Sequence, residues 1–222
     1  GVRPWQVQSP VPMGRASDEM DVVLQPHDLL ALFPIVGGLV ARCRELGVAF
    51  VPGNNLGYFG PYEHLLRGRM AGGHAGGCGA GKLTLGIESN GAIKGCPSLA
   101  TASWAGGNVR EHPLGEIWRR AQALRYTRDR TPAASWGYCG SCYYAEECRA
   151  GCTWMSDSIF GRPGNNPYCH HRALELQRVG KRERIVRTAE APGAPFDRAT
   201  FELIEEAWPA EHAATAEKDL AP

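Results

Sequence analysis

The sequence predicts an α/β chain with a cysteine-rich second half, and three observations carry that expectation. A strand–helix–strand run fills the first fifty residues, Asn90-Gly91 sits between two short apolar runs, and five of the eight cysteines crowd between Cys139 and Cys169. The first pattern predicts parallel strands under a covering helix, because parallel neighbours need a crossover of a dozen or more residues. The second predicts a β-hairpin, since Asn-Gly readily takes the positive φ of a tight turn. The third predicts a segment folded around inorganic material, because packed thiols with neither metal nor disulfide are a reactive liability.

In chain order, residues 2–8 read as a buried strand and residues 9–15 as a loop. Pro26 then opens a helix with Leu29, Leu30, Leu32, Phe33, Val36, Leu39, Val40, Cys43 and Leu46 at helical spacing. Pro34 is expected to kink or split it, Gly47 ends it, and residues 48–51 return as a strand. The next loop, 52–62, is too rich in Gly and Asn for regular structure. Loops at the carboxyl ends of parallel strands line ligand sites, which makes Arg15, Asn54, Asn55 and Tyr58 candidate cofactor or substrate contacts. A surface arginine and ordinary turn chemistry stand beside that reading.

A Gly-rich hinge at 72–77, carrying His74, leads into Cys78. Residues 82–95 read as the hairpin, with Leu83, Leu85 and Ile87 alternating in the first strand. A hairpin brings its ends together, so Cys78 and Cys96 become neighbours, and one thiolate from downstream makes a three-sulfur site. Residues 106–110 are expected as a loop and 114–126 as one helix burying Leu114, Ile117, Trp118, Ala121 and Leu124. Trp136, Tyr138, Tyr143, Tyr144, Trp154 and Tyr168 surround the downstream cysteines, as walls that exclude water or as a small core. His170 and His171 read as helix-start residues of a segment reaching Lys181. Beyond Glu190 the expectation is a Pro-rich turn, a short helix over 201–208 and a disordered Ala- and Glu-rich tail.

Five thiols are one more than a tetrahedral site takes, so one must serve another centre. Two-residue bites suit structural zinc and iron–sulfur sites equally. Disulfides fit poorly, since Cys43 on the amphipathic helix leaves an odd seven elsewhere. The order Cys78, Gly91-x4-Cys96, Cys139-x2-Cys142-x5-Cys148-x3-Cys152, then Cys169, resembles the seven-cysteine signature of the SPASM domain of radical SAM enzymes. The resemblance implies two auxiliary [4Fe–4S] clusters: Cys78, Cys96 and Cys152 for the first, and Cys139, Cys142, Cys148 and Cys169 for the second. His74, close before Cys78, is either a fourth ligand of the first or a solvated linker histidine, with one iron left open.

It further implies that residues 1–71 are the last βα units of a partial (β/α)6 barrel, 72–188 a SPASM domain, and 189–222 a tail. The Cys-x3-Cys-x2-Cys that holds the SAM-cleaving cluster is missing, since Met155 stands where Cys148-x3-Cys152 would need a third cysteine. Such a motif, with S-adenosylmethionine and a third [4Fe–4S] cluster, is expected in a preceding portion, and this stretch alone is expected to be inactive. Similar enzymes act largely on peptides and proteins with an external one-electron reductant. The sulfatase-maturating group carries an aspartate where Pro97 stands here, which disfavours formylglycine formation.

With 24 basic and 23 acidic side chains interspersed, the chain shows no electrostatic footprint for nucleic acid or an anionic membrane. No apolar run is expected to approach a membrane span, and a cytoplasmic location is expected. A non-catalytic zinc or iron–sulfur module for peptide recognition or electron transfer is the alternative reading.

Overall fold

Parallel pairing of two short strands anchors the N-terminal part of the computed structural model, which describes residues 1–70 and 72–209. β1 (Pro4–Val7) lies beside β2 (Ala49–Pro52), with Trp5 opposite Phe50 and Val7 opposite Pro52. Between them run a single turn, α1 (Arg15–Asp18), and the long α2 (Leu29–Glu45). The Gln25 N–H donates to the Asp28 carboxylate at 2.7 Å just ahead of α2. A stripe of Leu29, Phe33, Val36, Val40 and Cys43 on α2 is buried, the spacing of one helix face.

Three expectations for this region need correction. Pro34 does not split α2, which continues unbroken to Glu45. β1 is largely exposed rather than buried, because the described residues supply one strand partner and no layer over its outer face. The stretch Met20–Glu45 does pass a length and hydropathy test for a membrane span, at 1.5 over its best window. Its continuous α-helix is only 17 residues, about 26 Å at 1.5 Å per residue, short of the roughly 20 residues a bilayer needs.

After β2 the chain loops into α3 (Glu63–Arg67), where a buried ion pair forms at helical i,i+4 spacing. Arg67 also donates to the carbonyls of Gly53 and Leu56, at 3.0 and 2.6 Å. The Glu63 carboxylate accepts the Ala75 N–H at 2.7 Å. One buried knot therefore ties the 53–56 loop to the Gly-rich stretch before Cys78, and that stretch is fastened rather than a free hinge.

The expected hairpin forms, but shorter: β3 (Gly86–Ile87) pairs with β4 (Ala92–Lys94), and Leu83 lies outside it, 88% exposed. A single turn, α4 (Thr101–Trp104), then leads to a third strand, β5 (Ala105–Asn108), paired antiparallel to β4 where a loop was expected. Glycine hides this strand from pattern reading yet makes it fit. A Cβ on Gly106 would lie 2.3 Å from Leu124 Cδ1 and 2.7 Å from Ala121 Cβ, so the strand packs where a side chain cannot. The expected single helix is two, α5 (Leu114–Arg120) and α6 (Gln122–Asp129), broken at the extended Ala121. Ile117 and Leu124 both pack on Ile93 of β4, a small core of its own.

Three short helices follow: α7 (Ala145–Cys148), α8 (Thr153–Phe160) and α9 (His170–Arg178). The chain then enters β6 (Lys181–Ala189), which pairs antiparallel with β7 (Thr200–Ala207). The helix expected over 201–208 is thus a strand. Its helix-like spacing of Phe201, Ile204 and Trp208 is overridden by cross-strand partners: Lys181 with Glu205, and Arg182 and Arg184 with Glu206. This hairpin straddles the boundary drawn at 188/189. The tail beyond Pro209 lies outside the described residues. One core joins α2 residues, Leu56, Cys152, Met155, Tyr168, Ile185 and Phe201, so the two halves read from the sequence pack as a unit.

Candidate metal centre

All eight cysteines are unpaired thiols, and seven of them gather around two cavities. Cys78, Cys96 and Cys152 line the first. Cys78 follows the knotted Gly-rich stretch, Cys96 stands two residues past β4, and Cys152 holds the N-cap position of α8. Cys139, Cys142, Cys148 and Cys169 line the second, supplied by the turn before α7, the end of α7 and the residue before α9. Cys43 stays apart in the α2 face.

The turn between Cys148 and Cys152 separates the two sets. Arg149, Ala150 and Gly151 take φ of 48°, 59° and 60° in succession, a left-handed run that L-residues adopt at a cost of about 1–3 kcal/mol each. It reverses the chain within three residues, leaving Cys148 on one cavity and delivering Cys152 to the other. Gly151 is required twice over, because a Cβ there would sit 2.7 Å from the Tyr58 ring.

Burial pushes the thiols up, and neighbouring thiols push them further. Cys148 rises to about 12, by burial and then the charge of Cys139, and Cys152 to about 12, by burial and then Cys78. Cys139 and Cys169 are raised for the same reasons. Backbone N–H groups work the other way: Asn166 N–H points at the Cys139 sulfur at 3.4 Å, Gly151 at Cys148, Arg172 at Cys169, and Trp154 and Met155 at Cys152. The Arg172 guanidinium favours the thiolates of Cys139 and Cys169. These four metal-free thiols are thus held toward the neutral form, set among donors that favour thiolate once a metal displaces the protons.

An all-thiolate donor set suits an iron–sulfur cluster or a structural zinc ion. Among the described residues no group of three or more His, Cys, Asp or Glu is placed to hold one metal ion. Zinc, with sulfur at about 2.3 Å, draws its thiolates to within roughly 4 Å of one another. Each set lines a cavity, with about 820 Å³ of empty space at the first and 370 Å³ at the second, open mouths included. The second is walled by aromatic rings, with Phe59 stacked on Tyr144 at 4.2 Å and His171 edge-on to Tyr144 at 5.0 Å. The first is wider, and among the described residues that line it none is acidic or basic apart from the thiols.

Other candidates from the sequence fall in different places. Asn54 lines the first cavity, beside Asn55, Gln8 and Trp154. Tyr58 is 2% exposed and lines the second cavity, and its hydroxyl accepts the Cys152 N–H at 3.0 Å and donates to the Asn54 carbonyl, tying two loops beside the thiols. Arg15 is exposed on α1 in a shallow pocket with Ala16, Glu19 and Val22, away from both cysteine sets. His74 packs against Phe59, which walls the second cavity, and does not line the first. His170 stacks on Phe33 at 4.4 Å, while His171 reaches the second cavity. Sequence reasoning missed Gln8 and the Glu63–Arg67 knot. The knot's one signal was an opposite-charge i,i+4 pair inside a Gly-rich region.

Residues 78–143 match the SPASM iron–sulfur cluster-binding domain. The chain is 33% identical over 116 residues to the mycofactocin maturase MftC of Mycobacterium ulcerans, covering 49% of this chain and 30% of that protein. It is 35% identical over 97 residues to an AdoMet-dependent heme synthase of Methanosarcina barkeri, covering 43% of this chain and 26% of that one. A mycofactocin maturase MftC of Mycobacterium tuberculosis is 32% identical over 96 residues, 41% of this chain and 23% of that protein. The matches thus span under a third of these relatives' own lengths. No solved structure matches.

Proposed function

We propose that this chain, whose residues 78–143 match the SPASM iron–sulfur cluster-binding domain, belongs with the radical SAM/SPASM enzymes and is the cluster-bearing C-terminal portion of a peptide- or protein-modifying oxidoreductase. Cys78, Cys96 and Cys152 would hold a first auxiliary [4Fe–4S] cluster, and Cys139, Cys142, Cys148 and Cys169 a second. When bound, such clusters supply one-electron transfer, and three-cysteine ligation leaves one iron open to a further ligand. The observation that carries this reading is the division of seven thiols into three and four around separate cavities. The β1–α2–β2 unit is in keeping with the end of a partial (β/α)6 barrel, whose remaining units, SAM site and third cluster would belong to a preceding portion. The chain's own residues orient the thiolates, exclude water with aromatic rings and offer a neutral cavity beside the first set. The mycofactocin maturase relatives favour a peptide substrate, with an external one-electron reductant.

The test is anaerobic purification with iron and acid-labile sulfide analysis. About eight irons per chain are expected, falling to about four in Cys152→Ser and unchanged in Cys43→Ser. Zinc without sulfide, or a Cys152→Ser variant that keeps all its iron, overturns the assignment.

A further inference from the structure

The first cavity lies at the carboxyl ends of both parallel strands, with Gln8 one residue beyond β1 and Asn54 and Asn55 just past β2. Asn55 is 5% exposed; its Nδ2 donates to the Ser9 carbonyl at 2.8 Å, while its Oδ1 has no donor among the described residues. A buried amide oxygen without a donor costs about 1–3 kcal/mol, and such a cost points to a ligand group that is to arrive. Gly53 makes the arrangement possible, since a Cβ there would lie 2.5 Å from Gln8 Cγ and 3.0 Å from Asn55 Oδ1.

We propose that this floor of amide side chains is a subsite for the uncharged main chain of a peptide, with Asn55 Oδ1 accepting a peptide N–H beside the first cysteine set. The inference deepens the functional reading above and rests on it for the identity of the peptide as substrate. The neutrality of the lining decides the ligand class. S-adenosylmethionine brings a carboxylate, an ammonium and a sulfonium, and the described residues that line the cavity include no acidic or basic side chain to match them. A peptide segment with apolar side chains needs only amide partners and apolar contact. Leu83, 88% exposed at the rim, and Trp154 on the wall supply that contact.

The probes are N-acetyl-Leu-Ala-Leu amide and the same peptide methylated on its central amide nitrogens, titrated by ligand-observed NMR into the anaerobically purified chain. The unmethylated peptide is expected to bind about tenfold tighter, the worth of one buried hydrogen bond. Asn55→Ala is expected to erase the difference between the two peptides. Leu83→Glu, an exposed substitution that places no burden on folding, is expected to weaken both alike. S-adenosylmethionine is expected not to displace either. A preference that survives Asn55→Ala, displacement by S-adenosylmethionine, an unaffected Leu83→Glu variant, or no binding of either peptide overturns the proposal. Iron and sulfide counts on the same samples keep the two readings apart: peptide binding without clusters defeats the cluster assignment alone, and clusters without peptide binding defeat this one alone.

Discussion

Replacing Tyr58 by Phe tests how the 54–58 loop is joined to the cysteine turn. The hydroxyl is buried and serves two backbone groups at once, the Cys152 N–H at 3.0 Å and the Asn54 carbonyl. Removing it leaves a donor and an acceptor unpaired, each at about 1–3 kcal/mol, offset in part because the buried hydroxyl no longer needs satisfying. The ring still fills the space beside Gly151, so no cavity opens. The net loss worked from these contributions is about 2 kcal/mol. Urea unfolding of the metal-free chain reads it directly: the midpoint falls while the slope stays that of wild type. Tyr143→Phe is the control, because Tyr143 is 88% exposed and its loss is expected within about 0.5 kcal/mol of zero. Equal stabilities for the two variants would refute the idea that Tyr58 is the tie.

Gly151→Ala places a Cβ against the Tyr58 ring in a left-handed residue, so a loss of more than about 2 kcal/mol is expected by the same urea assay, well beyond that of Ala150→Gly. Glu63→Gln leaves the Arg67 guanidinium buried without its counter-charge, and a loss of about 3–5 kcal/mol is expected, read as a fall in melting temperature that Arg42→Gln on the exposed face of α2 does not reproduce. The metal-free chain is expected to lose stability above pH 9: thiols raised to about 12 in the fold are more protonated there than in the unfolded chain between those values, so stability is full below pH 9 and falls as pH rises through the window. A urea midpoint flat from pH 8 to 11 would contradict this. On the acid side His170 is held down to about 4 by burial and then the charge of His171, so its contribution is present above pH 6.5 and lost as pH falls toward 4, a limb that His170→Phe should flatten.

The sequence by itself determined the features that depend on local chemistry and spacing. The α2 stripe and the Asn90-Gly91 turn follow from periodicity and turn geometry, which act over a few residues, and the SPASM resemblance rests on the order and spacing of seven cysteines. Tertiary structure decided what depends on partners distant in the chain. The β6–β7 pairing overrode the helical spacing around Phe201, and Gly106 became a strand residue because Leu124 and Ala121 pack where its side chain would be. Likewise, Tyr58 and Asn55 looked alike as loop residues in a Gly- and Asn-rich stretch. Only the closed fold sets them apart: the Tyr58 hydroxyl meets the Cys152 N–H, while Asn55 Oδ1 meets no donor among the described residues. The physical reason is that a side chain's role is set by which of its polar atoms the rest of the fold satisfies, and that tally exists only once the chain has closed on itself.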